Sequence, residues 1–261
     1  EGPIIMTGGA VGSLIAQYFH LSAAERKTLL VAGATAGMTA VFGTPVAAVL
    51  LAVELLLFEW RPRSLLPVIA ACAVAGFARP LMLDAGPLFP MAESVVAPIA
   101  LLSCVIAGVC AGVLSAGMSR ALYAIEDGFH KLPVHWMWWP AIGGVAIGIG
   151  GYLQPRALGV GYDVIADLLA GHFTLHAALA LLVVKAIIWA IALGSCTSGG
   201  VLAPLLMIGA GLGTLLAPVL PGGDVSLWAL VCMAATLAGV LGAPLTAIVF
   251  ALGLTHNVNA L

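Results

Sequence analysis

The apolar positions fall into long runs broken by Gly and Pro, and nowhere alternate with the two-residue period of a strand. Helical segments are predicted over 2–19, 27–41, 45–58, 64–82, 93–125, 136–152, 162–169, 174–193, 201–220, 226–241 and 244–254. The runs over 45–58 and 244–254 fall short of the ~20 residues that a spanning helix needs. Short helices at membrane depth must end where protein or water satisfies their free backbone groups. The pattern predicts an all-α, polytopic membrane protein of spanning, tilted and broken helices, with one transmembrane domain over 1–261 and no soluble domain.

Composition sharpens that class. Apolar residues make up 62% of the chain and charged residues 8%, with a mean hydropathy of +1.17, too little charge to cover a water-facing surface. The charges cluster between runs: Glu25, Arg26 and Lys27; Glu59, Arg61 and Arg63; Arg120, Glu126, Asp127 and Lys131. These places read as loops or interfaces, with Trp60, Trp136, Trp138 and Trp139 as interfacial anchors. Net charge is −2 with no basic run, which argues against a nucleic-acid partner. Cys72, Cys104, Cys110, Cys196 and Cys232 lack CxxC or His-paired spacing. They read as packing groups, and neither metal nor cofactor is expected. The chain opens on Glu1 and closes straight after an apolar run, so both ends read as cuts through a longer protein.

An internal repeat is the most informative feature. Pro3-x-x-Met6-x-Gly8-x-x-x-Gly12 recurs as Pro204-x-x-Met207-x-Gly209-x-x-x-Gly213. Further on, Phe42-Gly43-Thr44-Pro45 recurs as Leu241-Gly242-Ala243-Pro244, in the same order and only two residues out of register. Duplicated halves with matching Gly/Pro-broken segments are a transporter hallmark. The expected division is the end of a first repeat over about 1–92 and most of a second over about 93–261; spacing leaves parallel and inverted arrangements open, inversion being the commoner where broken helices face each other.

The two Pro-led helix starts carry the candidate chemistry. The first amides of a helix have no intrahelical partner, and the macrodipole adds about half a positive charge. Two such ends meeting at midplane would hold an anion without a fixed cation, which keeps it free to leave. The bland reading of Gly8, Gly12, Gly209 and Gly213 is helix packing. Glu1 precedes one start, where it reads either as a carboxylate competing for the anion site or as an ordinary helix-start residue. Glu54 interrupts an apolar run and reads either as a functional ionisable group or as one that reaches the interface or caps a neighbouring helix; its repeat equivalent is Gly253. Lys185, mid-run, reads as paired with a loop carboxylate or snorkelling to an interface. Cys196-Thr197-Ser198-Gly199 is close to the GxSG of an intramembrane serine protease. It lacks the first Gly and any oxyanion pattern, so no enzyme is expected.

Glu1-Gly2-Pro3 resembles the end of the GREGP motif of CLC chloride channels and proton-coupled chloride antiporters. Gly200-Val201-Leu202-Ala203-Pro204 with Gly209 resembles the family's GxFxPxxxxG motif, and Gly194-Ser195-Cys196-Thr197-Ser198-Gly199 its GSGxSGG lead-in. The resemblance runs in order along the whole chain. It implies two inverted halves in a homodimer of a bacterial inner membrane, each subunit moving chloride with Glu1 as gate. The amides of Glu1, Gly2, Val201 and Leu202 would line the anion site. Glu54 and Glu59 would be candidates for a proton path, although Leu55 stands where many proton-coupled members have a second acid. Leu202 replaces the family's Phe, Cys196 a Gly, and Gly253 a Glu. A fluoride-handling relative is the alternative within the same architecture.

Overall fold

A computed structural model describes residues 2–58, 60–83, 86–91, 96–197 and 199–255. Among them are eleven α-helices: α1 (Gly2–Tyr18), α2 (Ala23–Phe42), α3 (Pro45–Leu51), α4 (Pro62–Met82), α5 (Ala100–His130), α6 (Trp139–Leu153), α7 (Tyr162–Leu169), α8 (Leu175–Gly194), α9 (Leu202–Leu216), α10 (Val225–Leu241) and α11 (Pro244–Thr255). The described residues contain no strand, so the all-α expectation holds. Helices α1–α4 with α11 make one compact unit, and α5–α10 make another.

Among the described residues three helices are long and apolar enough to cross a membrane: Pro62–Met82, Ala100–His130 and Leu175–Gly194. At 1.5 Å per residue the 31 residues of α5 rise about 46 Å, beyond the ~30 Å of hydrocarbon. This helix must tilt or project, and its charged end, Glu126 and Asp127, is exposed. The charges Arg120, Glu126 and Asp127, which read as a loop or an interface, therefore lie within a helix. Helix α2 starts at Ala23 rather than at the expected 27 and takes in Glu25, Arg26 and Lys27. Its start is a capping box. The Ser22 amide and hydroxyl donate to Glu25 Oε2 at 3.0 and 2.6 Å, and the Glu25 amide donates back to Ser22 Oγ at 3.4 Å. Arg63 Nη2, from α4, adds a 3.0 Å ion pair to Glu25 Oε1. Those hydrogen bonds, Ser22's first, hold the Glu25 carboxyl below its usual range. Trp139, expected as an interfacial anchor, is buried instead, with its indole N–H donating to Val134 O at 3.2 Å. Trp60, Trp136 and Trp138 are exposed.

Within the first unit α1 and α2 form a hairpin at backbone contact. A Cβ at Gly8 would lie 2.3 Å from Gly33 O, and one at Gly12 would lie 2.1 Å from Leu29 O. As one helix advances four residues the other retreats four, so the pair is antiparallel. Helices α9 and α10 of the second unit repeat this arrangement. A Cβ at Gly209 would lie 2.7 Å from Cys232 O, and one at Gly213 would lie 2.1 Å from Trp228 O. The Gly-x-x-x-Gly of both repeat copies is thus a packing device, used the same way twice.

The second repeat block is also recovered. Gly43 and Gly242 both take φ +70°, the left-handed turn that lets the chain re-enter a helix at Pro45 and Pro244. The two resulting short helices pack together in the first unit, where Glu54 reaches the start of α11 and Gly253 abuts Thr44 at the start of α3. Far end meets near end in both contacts, so the repeat mates are inverted. Helix α3 runs on through a π-helical turn, Ala52–Leu57, closed by Phe58 at φ +56°. The joined helix, Pro45–Leu57, is still too short to span.

Substituting Gly12→Val or Gly213→Val drives a side chain into a carbonyl, and overpacking of this kind costs about 1–3 kcal/mol or more. Both variants should lose the monodisperse peak in detergent size-exclusion chromatography. Gly108→Ala, where a Cβ meets nothing within 4 Å, should elute like the native protein. Native-like elution of Gly12→Val would contradict the packing role.

Candidate functional site

The second Pro-led start is built by the turn that precedes it. Helix α8 ends in a Schellman motif: the Thr197 amide donates to Ala192 O at 3.2 Å and the Cys196 amide to Leu193 O at 3.1 Å. Cys196 occupies the left-handed position at φ +58°, where glycine would be free of strain. This explains why the resembling motifs have Gly there, and shows that the turn survives the replacement. Ser195, fully buried, donates its hydroxyl to Ala192 O at 2.8 Å and lies 3.0 Å from Thr197 Oγ1. Gly143 of α6 and Gly194 leave room for this corner: a Cβ would meet Ser195 Oγ at 2.3 Å and Ile125 Cγ2 at 2.7 Å respectively. Ser198 lies outside the described residues.

From this corner the chain enters α9 with Val201 as N-cap and no side-chain cap hydrogen bond. The first bond of the helix runs from the Leu205 amide to Val201 O at 3.3 Å, so the Leu202 amide precedes it. Leu202 and Ala203 are buried, as is almost every residue of α9 to Thr214. A helix buried on all sides is held rigidly, and its positive end is fixed with it. The exchange of the motif's Phe for Leu202 leaves this backbone intact.

The first start has a different setting. Helix α1 begins at Gly2, with no acidic residue in its described first turn. Its Gly8 and Gly12 lock it to α2. Glu1 and Glu59 lie outside the described residues.

Glu54 lies against the start of α11. Its Oε1 accepts from the Leu245 amide at 3.2 Å, and its Oε2 accepts from the Thr246 amide at 2.8 Å and the Thr246 hydroxyl at 2.6 Å. The carboxylate therefore caps α11, as one of the two readings expected. The π-turn that holds it offsets its side chain from the regular helix register. Lys185 is also resolved. It is buried, and its ammonium donates to Ala157 O at 2.7 Å and Gly159 O at 3.0 Å, clamping the loop between α6 and α7. Carbonyls of a loop, rather than a snorkelled position, account for it. All five cysteines are free thiols, and no cluster of metal-ligating residues occurs among the described residues.

The comparisons with known proteins agree with this layout. A family model described as voltage gated chloride channel matches residues 1–261. The chain belongs to this family. Among the curated members of the chloride channel family, the H(+)/Cl(-) exchange transporter ClcA of Klebsiella pneumoniae strain 342 is 29% identical over 275 residues. That match covers 98% of this chain and 57% of the relative. ClcA of Salmonella paratyphi B matches equally, at 29% over 276 residues with the same coverage. Two solved chloride-channel-family structures share the fold. A slow cyanobacterial Cl-/H+ antiporter gives a TM-score of 0.87 at 23% identity, covering 98% of this chain and 63% of that one. A CLC-type fluoride/proton antiporter gives 0.84 at 21%, covering 98% and 65%. The chain thus spans a little over half the length of the curated relatives it matches. As a member of the family, it is a multi-pass integral membrane protein.

A left-handed conformation costs a non-glycine residue roughly 1–2 kcal/mol. Cys196→Gly should therefore raise the melting temperature in detergent and leave anion binding unchanged. A lower melting temperature would contradict the Schellman assignment.

Proposed function

We propose that this chain forms the core of a chloride transporter, with the anion held by backbone amides at its Pro-led helix starts. The observation that carries the reading is the α9 start. It is a rigid, buried helix end with an amide ahead of the first intrahelical bond, no side-chain cap, and a repeat-matched partner at Gly2-Pro3. Amides give enough positive potential to desolvate a halide and too little to trap it. The amides of Glu1, Gly2, Val201 and Leu202 would form the site.

Glu1 is the gate in this proposal. Ionised, it competes for the same amides; protonated, it releases them. That makes transport proton-dependent, in line with the exchange named for the relatives. The two oxygens of Glu54 are engaged by α11, which supports a capping role for it and leaves Glu59 as the remaining acidic candidate for the inner end of a proton path. We further propose a homodimer in a bacterial inner membrane, as the family resemblance implies.

The test is reconstitution of the full-length polypeptide in liposomes, with chloride-driven proton movement recorded for native protein and Glu1→Gln. The substitution should abolish pH-dependent gating or coupling while chloride still moves. An unchanged pH response would remove Glu1 from the mechanism. Fluoride flux clearly above chloride flux in the same vesicles would refute chloride as the substrate.

A further inference from the structure

A second helix start in the first unit has the donors of an anion site and no carboxylate to fill them. We infer that the beginning of the helix Pro45–Leu57 binds a compact monovalent inorganic anion, a halide above all. The inference does not depend on the transport reading.

The case begins with the sister helix. At α11, the amides of the second and third residues, Leu245 and Thr246, together with the Thr246 hydroxyl, converge on the Glu54 carboxylate. This protein therefore already places a negative charge at one of its two inverted short-helix starts. At the other, the first intrahelical bond runs from the Ala48 amide to Thr44 O at 3.0 Å. The amides of Val46 and Ala47 precede it, and Pro45 has none to offer. Ala47 is wholly buried, so its amide has no water-facing route to satisfaction.

Thr44 supplies an independent sign that something is to be bound. It is 3% exposed, makes no cap bond to its own helix, and its buried hydroxyl has no partner. A buried polar group left alone costs about 1–3 kcal/mol, which an anion accepting from it would recover. Arg79 of α4 adds a full charge nearby. A Cβ at Gly43 would lie 2.9 Å from Arg79 Nη1, and the buried Arg79 Nε also has no partner.

The place where a carboxylate would come from is empty of one. Glu54 stands nine residues after Pro45, and nine after Pro244 stands Gly253. Beside Gly253 lies a recess of about 380 Å³ whose lining includes Thr44, Val46 and Ala47. One water occupies about 30 Å³, so a halide with part of its hydration shell fits. No residue lining the recess is acidic.

The experiment is anomalous diffraction from crystals of the full-length protein in bromide, for native protein and two variants. The native map should show a peak at the 44–47 helix start, separate from any peak at the starts of α1 and α9. Thr44→Val, which removes the hydroxyl at constant shape, should cut the first peak by about half or more. In Thr44→Ala/Gly253→Glu, the alanine clears the contact that a Cβ at 253 would make with Thr44 Cγ2 at 2.5 Å. The new carboxylate then takes the amides, and the peak should vanish while the α1/α9 peak stays. A native map lacking the 44–47 peak overturns the inference whether or not the other peak appears. Loss of the α1/α9 peak alone would count against the transport site only. A 44–47 peak undiminished in the double variant overturns the assignment to this helix start, and one undiminished in Thr44→Val removes the hydroxyl from it.

Discussion

The structure is organised by one constraint: a helix that ends inside a low-dielectric layer must find partners for amides that its own turns cannot satisfy. Water meets this need at a soluble protein's surface. Here the short helices Pro45–Leu57 and Pro244–Thr255 cannot reach both interfaces, so their ends must be met from within. At α11 the partner is the Glu54 carboxylate. At α9 the N-cap residue Val201 makes no side-chain cap hydrogen bond, and the Leu202 amide lies ahead of the first intrahelical bond.

Placing such ends requires rigid backbones, and the glycines supply that rigidity by close approach. The same Gly-x-x-x-Gly spacing brings α1 to within backbone contact of α2, and α9 of α10. A methyl group at Gly12 or Gly213 would occupy the volume of a carbonyl oxygen. Duplication then does the rest. One hairpin design and one short-helix design are each used twice, and the short helices face each other inverted, so that the cap of one comes from the far end of the other. A break in this symmetry is Gly253 opposite Glu54.

Much of this was readable from spacing. The repeat, the short helices and the packing glycines announce themselves through Gly and Pro at fixed offsets, because those residues act locally on the backbone. The capping box at α2 is equally local, Ser22 to Glu25, but the adjoining charges interrupt the apolar pattern there. Other features could not be read so directly. The contacts of Glu54 with the Leu245 and Thr246 amides join residues 191 and 192 positions apart, and no local pattern reports such a pairing. The left-handed Cys196 runs against its residue type, since only the hydrogen bonds around it hold it there. Lys185 gave a sign of burial in its apolar run, but its partners are carbonyls, which every residue has and no sequence distinguishes.

The central claim, that a main-chain amide rather than a side chain binds chloride, can be tested by deleting that amide alone. Replacing the peptide N–H of Leu202 with an ester oxygen, in the full-length protein, leaves every side chain in place. A hydrogen bond to a charged group is worth roughly 1.5–3 kcal/mol, and 1.4 kcal/mol is tenfold in affinity. Calorimetric titration should then show chloride binding weakened by about tenfold or more. Affinity equal to that of the unmodified protein would contradict amide binding at α9.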